Sequence, residues 1–271
     1  MVISEIMAGE GEKGEMKMKV IGIFTMIVLT LGACGKKPEP TPSGQPSAPG
    51  VAAPQPEPAG STFVPPQVVK KQAKYFPEGT PSRAIQDLDD TLDSYILDPK
   101  TEEEKKYNAD LKRYVINGTF DIRELCRLAL DKHWGERSGG EQNHFVDLMV
   151  RLLEKKAIFS KEQGQKKKGT KTLYRVTYEG DRFLNPDKTQ ALARSTVHIP
   201  SEALKIELNY KLKKVDGNWK IYDVIVDGAS LLDNYKYQFD KIIAKDGYPT
   251  LIHRMESKLK DLEAQGEKEK V

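Results

Sequence analysis

The order of hydrophobic periods predicts an α+β fold: a twisted antiparallel four-stranded sheet covered on one face by about six helices. Three observations predict it. Between residues 80 and 155 apolar residues recur at helical spacing, over about four segments. From about 172 to 226 the period becomes two, with a turn signal at Asp216-Gly217. After residue 230 the helical period returns twice.

Thr80-Pro81 opens the first helix, with threonine as cap and proline in the first turn. Its stripe is Ile85, Leu88, Leu92, Tyr95 and Ile96, and Asp98-Pro99 is expected to end it. Thr101-Glu102-Glu103-Glu104 is a capping box for a second helix with Leu111, Tyr114 and Val115, which Asn117-Gly118 is expected to break. Asp121 starts a third, running to about Trp134, and Ser138-Gly139-Gly140-Glu141 a fourth, with Phe145, Leu148, Met149, Leu152 and Leu153. Strands are predicted over Thr172–Glu179, Ala191–Ile199, Lys205–Val215 and Trp219–Val226. A two-residue turn at Asp216-Gly217 sets Leu212 opposite Ile221 and Leu208 opposite Ile225. A bulged turn would instead bring Tyr222, Val224 and Val226 inside. Two helices close the domain, Ser230–Lys245 and one opened by Pro249.

The N-terminal part reads differently. Residues 1–15 look like an upstream start. Lys17 and Lys19 precede an apolar run, Val20–Leu31, then Leu31-Gly32-Ala33-Cys34. This is a signal-peptide layout, and the run is shorter than the roughly 20 residues of a membrane span. The ending resembles the lipobox of bacterial lipoproteins, which implies that Cys34 is diacylated and becomes the mature N-terminus. The alternative is an ordinary secretory signal with an incidental cysteine. Gly35, rather than an acidic residue, follows Cys34. By the same resemblance this favours the periplasmic face of the outer membrane over the inner. Residues 36–66 are dominated by Pro, Ala, Gly, Ser, Gln and Glu without apolar periodicity. Such a segment is expected to stay extended or disordered. A tether of roughly 45 residues reaches at most about 140 Å.

Composition narrows the chemistry. The 43 Lys and Arg nearly balance 40 Asp and Glu, so no strong field invites nucleic acid. The four histidines, His133, His144, His198 and His253, show no metal-ligand spacing, and there is no phosphate loop or nucleophile elbow. Cys126 lies in an apolar helical pattern and reads as a buried thiol. Asp223 is expected to hydrogen-bond locally, and Asp227-Gly228 to form a turn. A polar cavity holding His198 or Asp223 is what an enzyme in the sheet cone would need.

The residues Phe120-Asp121-Ile122-Arg123-Glu124-Leu125-Cys126-Arg127-Leu128-Ala129-Leu130, with His133-Trp134, resemble the first helical signature of the periplasmic phospholipid-binding MlaC family, also called the toluene-tolerance family. Phe145-Val146-Asp147-Leu148 with Leu152-Leu153 resembles its next helix. Trp219 to Tyr235, reading WKIYDVIVDGASLLDNY, is the strongest likeness, with Ala229 in place of the usual valine. The resemblance spans about Pro81 to Lys260. It implies an apolar pocket between sheet and helices that holds the acyl chains of a glycerophospholipid. It implies a non-enzymatic carrier without cofactor or metal, the lipid being cargo. The partners implied are an Mla-type inner-membrane ABC transporter complex and an outer-membrane lipoprotein–porin complex.

The pocket positions taken from this reading are Leu125, Leu128, Met149, Leu152, Tyr174, Val176, Val197, Ile206, Leu208, Tyr210, Ile221, Ile225 and Leu231. The expected organisation is upstream residues and signal peptide (1–33), lipidated Cys34 with tether (34–75), lipid-binding domain (76–264) and charged tail (265–271). A structural or interaction lipoprotein of the envelope, with a filled core and no bound lipid, is the alternative.

Overall fold

The computed structural model describes residues 63, 74–96, 99–156, 175–200 and 203–268. The expected signal peptide, most of the expected tether, and Tyr174 lie outside them. The described elements are α1 (Pro81–Leu92), α2 (Glu102–Thr119), α3 (Ile122–Leu130) with a 3-10 turn (Asp131–His133), α4 (Gly139–Lys156), β1 (Arg175–Phe183), β2 (Gln190–Ile199), β3 (Leu204–Val215), β4 (Asn218–Val226), β5 (Ala229–Ser230), α5 (Leu231–Asp246) and α6 (Tyr248–Lys268). The fold is α+β, as predicted, but the sheet has five antiparallel strands in sequential order rather than four. The extra strand is two residues long, too short for an alternating pattern to reveal.

Helix starts follow the caps. Thr80 Oγ1 accepts from Arg83 N at 3.3 Å, and the Thr101–Glu104 capping box forms in both directions, at 3.2 and 3.1 Å. Two helix ends differ from expectation. α1 stops at Leu92, because Asn108 of α2 takes over the backbone beyond it: its side chain accepts from Ile96 N at 3.0 Å and donates to Ile96 O at 2.7 Å. α2 passes through Asn117-Gly118 to Thr119. Asn117 does not break it, since its amide donates to Arg113 O one turn back (2.9 Å) and to Glu154 of α4 (2.8 Å).

The β3–β4 hairpin combines both registers that the sequence allows. Asp216 and Gly217 form a two-residue turn with φ of 50° and 84°, a conformation glycine adopts without steric cost. Leu212 therefore faces Ile221. A register shift then falls between Lys211 and Leu212, so Tyr210 faces Val224 and Leu208 faces Val226. The irregularity sits inside the strand, not in the turn. Ile225 consequently pairs with Asn209 and leaves the face it was expected to share with Leu208.

Helices α3 to α6 pack on one another and around Phe145, Tyr235 and Phe239. The Phe145 ring meets Phe239 edge-on at 5.5 Å, and Tyr235 stacks on Phe239 at 5.5 Å. α1 instead lies over β1 and β2. It is tied there by Ser82 to Asp181 (3.3 Å), by Tyr178 to Asp89, and by Trp219 Nε1 to the Gly79 carbonyl at its entry (2.9 Å).

Candidate lipid-binding face

Alternation along the strands sends one set of side chains towards α1 and the helices. Across the sheet these rows are Ala191–Leu212–Ile221, Ala193–Tyr210–Val224, Ser195–Leu208–Val226, Val197–Ile206 and Ile199–Leu204, with Val176 beside Val197 and Tyr178 beside Ser195 on β1. The rows differ in how far they are covered. Ala191, Leu212 and Ile221 are wholly buried, as are Val197, Ile199, Ile206 and Leu208 along the middle strands. Val176, Tyr178, Leu204, Tyr210 and Val226 are only half-buried, though they belong to the same apolar cluster. Leu92 and Tyr107 are half-buried members of that cluster from α1 and α2.

Polar atoms on this face are few and most are engaged, the Tyr107 hydroxyl being buried without a hydrogen-bond partner. Ser195 Oγ donates to Leu208 O at 2.6 Å. The Tyr178 hydroxyl donates to Asp89, and burial first, then the Asp89 charge, pushes its phenol well above the ordinary range. It therefore stays a neutral donor. Tyr75 makes the same kind of bond to the adjacent Asp90. The surface left between them is hydrocarbon and aromatic, suited to alkyl chains rather than to proton transfer.

The expected pocket positions divide into groups. Val197, Ile206, Leu208, Val176, Tyr210 and Ile221 share the inner face. Leu125, Met149 and Leu152 are buried at 2% exposure or less among the helices, in the same apolar cluster. Leu128 and Leu231 are half-buried at the margin of α3 and the start of α5. Ile225 points to the other face. Tyr178 and Leu204 belong to the inner face and are not among the expected pocket positions, while Val224 and Val226 reach it as the bulged alternative expects. Tyr178 stands two residues after Val176, the spacing that finds it.

The polar candidates separate. Asp223 is buried at 1% exposure and accepts from Ser230 Oγ (2.8 Å) and Leu232 N (3.0 Å), with Lys211 Nζ at 3.0 Å. It fastens the start of α5 to β4. Asp227 Oδ1 accepts from Glu207 N at 2.9 Å beside the turn. His198 lies on the outer face, its Nε2 3.2 Å from Thr177 Oγ1. It pairs with Lys205 while Asp223 pairs with Lys211, six residues on along β3. That separation is roughly 20 Å at strand rise, so the two form no dyad. Cys126 is fully buried, and desolvation pushes its thiol pKa upward. Among the described residues no group of three His, Cys, Asp or Glu is placed to hold a metal.

The model of the MlaC protein family matches residues 86–257, from within α1 to within α6. Among solved structures, the chain is similar to a phospholipid-binding protein from Ralstonia solanacearum determined in complex with a phospholipid. The identity is 21% and the TM-score 0.52, over 67% of this chain and 97% of that one. No curated protein matches the sequence. The family match covers well over half of the chain, so this protein belongs to the MlaC family.

Proposed function

We propose that this chain binds a glycerophospholipid on the inner face of its sheet and carries it between membrane complexes, acting as a carrier and not as an enzyme. The observation that carries the reading is the band of half-buried apolar side chains, Val176, Tyr178, Tyr210, Leu204 and Val226, bordering a wholly buried apolar floor. Removing acyl chains from water is worth about 0.8 kcal/mol per methylene, so a greasy face suffices without reactive groups. Family membership and the phospholipid in the Ralstonia solanacearum structure support the same cargo. The partners in this reading are an Mla-type inner-membrane ABC transporter complex and an outer-membrane lipoprotein–porin complex. Acylated Cys34 and the Pro-rich segment would hold the domain at the periplasmic face of the outer membrane, so that hand-over happens within reach of the tether.

Transfer of a fluorescent phospholipid between donor and acceptor vesicles tests the carriage. The chain is expected to accelerate transfer, and Val176→Trp with Leu208→Trp to remove the acceleration while far-UV circular dichroism stays native. No acceleration by the unaltered chain would refute it. A second reading, an envelope lipoprotein with a filled core, draws on the full burial of Val197, Ile206 and Leu208. It predicts native folding with no transfer in any variant.

A further inference from the structure

Two of the most exposed large apolar side chains among the described residues are neighbours. Phe183, at 45% exposure, ends β1, and Leu184, at 40%, enters the turn to β2. The turn is well made: Leu184 N donates to Gln190 O at 2.8 Å, and Asn185 Oδ1 accepts from Thr189 N at 3.1 Å and Gln190 N at 2.9 Å. Their exposure therefore belongs to a built hairpin, not to a loose end. The β3–β4 hairpin reaches the same end of the sheet. Lys214 N donates to Thr189 O at 2.8 Å, and the Phe183 ring lies 6.3 Å from that of Trp219.

Cations surround this apolar tip. Lys188 Nζ is 5.6 Å from the Phe183 ring and Lys214 Nζ 5.9 Å from the Trp219 ring, both standing over aromatic faces rather than carboxylates. Arg182 of β1, Lys213 of β3 and Lys220 of β4 stand near the same end; Lys213 pairs with Glu124 at 3.4 Å and Lys220 donates to the Gly118 carbonyl. Asp181 and Asp187 accept from the hydroxyls of Ser82 and Thr189 and keep their charge, as does Asp216 in the turn. The tip thus presents an aromatic and a leucine beside two lysines, Lys188 and Lys214, that stand over aromatic rings.

We propose that this hairpin end of the sheet docks on the surface of an anionic phospholipid bilayer. Phe183 and Leu184 enter the boundary between head groups and acyl chains, and Lys188, Lys214 and Arg182 meet lipid phosphates. The lysine stems already lie along aromatic rings, the posture in which a long side chain covers apolar surface and keeps its charge at the interface. Apolar insertion and cationic attraction are each marginal alone, and together they hold a protein reversibly at a membrane. The proposal stands on the tip and is independent of the cargo reading, because its readout is attachment to vesicles and not lipid extraction.

The test uses the chain from residue 34 onward carrying Cys34→Ser, so that neither the apolar run Val20–Leu31 nor an acyl anchor contributes, in co-sedimentation with vesicles. Phosphatidylglycerol mixed into phosphatidylcholine is compared with phosphatidylcholine alone, at low salt and at about 0.5 M salt. The expected result is binding to the anionic vesicles at low salt that high salt removes, and little on the neutral ones. Lys188→Ala with Lys214→Ala should lower partitioning about 25-fold, at about fivefold per lysine. Phe183→Ser with Leu184→Ser should weaken it comparably. Tyr237→Ser, which alters a still more exposed aromatic on α5, should leave it unchanged. Phe183 touches Trp219, so the lysine pair is the deciding variant should the apolar pair disturb the fold. Equal binding to neutral and anionic vesicles, or wild-type binding by the lysine variant, would overturn the proposal.

Discussion

The helical half and the sheet half of this molecule are both apolar inside, yet they are finished differently. Around Phe145, Tyr235 and Phe239 the side chains of α3 to α6 interlock until nothing is exposed; Phe145, Met149, Leu152, Tyr235, Phe239 and Leu251 are all at 0%. On the inner face of the sheet the floor is as well buried, but Val176, Tyr178, Tyr210 and Val226 at its border are left half-covered. A filled core gains from closing every such gap. Over β1 and β2 the cover is one short helix, α1, held through polar ties at Ser82 and Asp89, which leaves a border that a ligand can complete. In the proposed function, the closed half supplies stability and the half-covered one takes the cargo.

The largest expected effect breaks the helical half. Phe239→Ala removes a ring that touches two others, and should cost about 3–5 kcal/mol in chemical denaturation. An equal loss from Val176→Ala, on the half-covered border, would erase the distinction. Next comes the joint between halves. Asp223→Ala strips the start of α5 of its acceptor and leaves Lys211 without its buried partner. A loss of about 2–4 kcal/mol is expected in the same assay. Tyr178→Phe takes the hydroxyl donor from Asp89 while keeping the ring on the lipid face. It should cost about 1 kcal/mol of stability and spare phospholipid transfer. A Tyr178→Phe variant of native stability that lost transfer would move that hydroxyl from holding α1 to holding cargo.

A further effect is one of pH. Lys112 lies on the core-facing stripe of α2, and desolvation lowers its pKa from 10.5 to about 8. In the window between those values the unfolded chain keeps a proton that the folded one has released. Stability from this residue therefore rises as pH climbs from 8 towards 10.5. Denaturation midpoints measured across pH 8 to 10 should show that rise, and Lys112→Met should flatten it. An unchanged slope in the variant would place the titration elsewhere.

Much of this architecture was legible in the sequence where one local rule decides it. Thr80, Thr101 and Asp121 cap the helices they were expected to cap, and Lys205–Val215 alternates on a real strand. Misreadings arose where a distant side chain intervened, as when Asn108 ended α1 and Glu154 received Asn117. The slip at Lys211/Leu212 escaped because alternation before and after a bulge looks the same, and Ile225 was assigned to the wrong face as a result. Leu125, Met149 and Leu152 lie among the helices, where an apolar stripe has one pattern whether it lines a cavity or fills a core. Phe183 and Leu184 carried no expectation at all, since only the paired hairpins bring them beside Lys188, Lys214 and Trp219.

The most direct measurement is lipid mass spectrometry on an organic extract of the purified chain, alongside the Val176→Trp/Leu208→Trp variant and Tyr237→Ser as a surface control. The account predicts stoichiometric phospholipid in the unaltered chain and in Tyr237→Ser, and none in the folded double-tryptophan variant. A folded chain that yields no lipid and takes up none from liposomes, or a double-tryptophan variant that keeps its full complement, would contradict it.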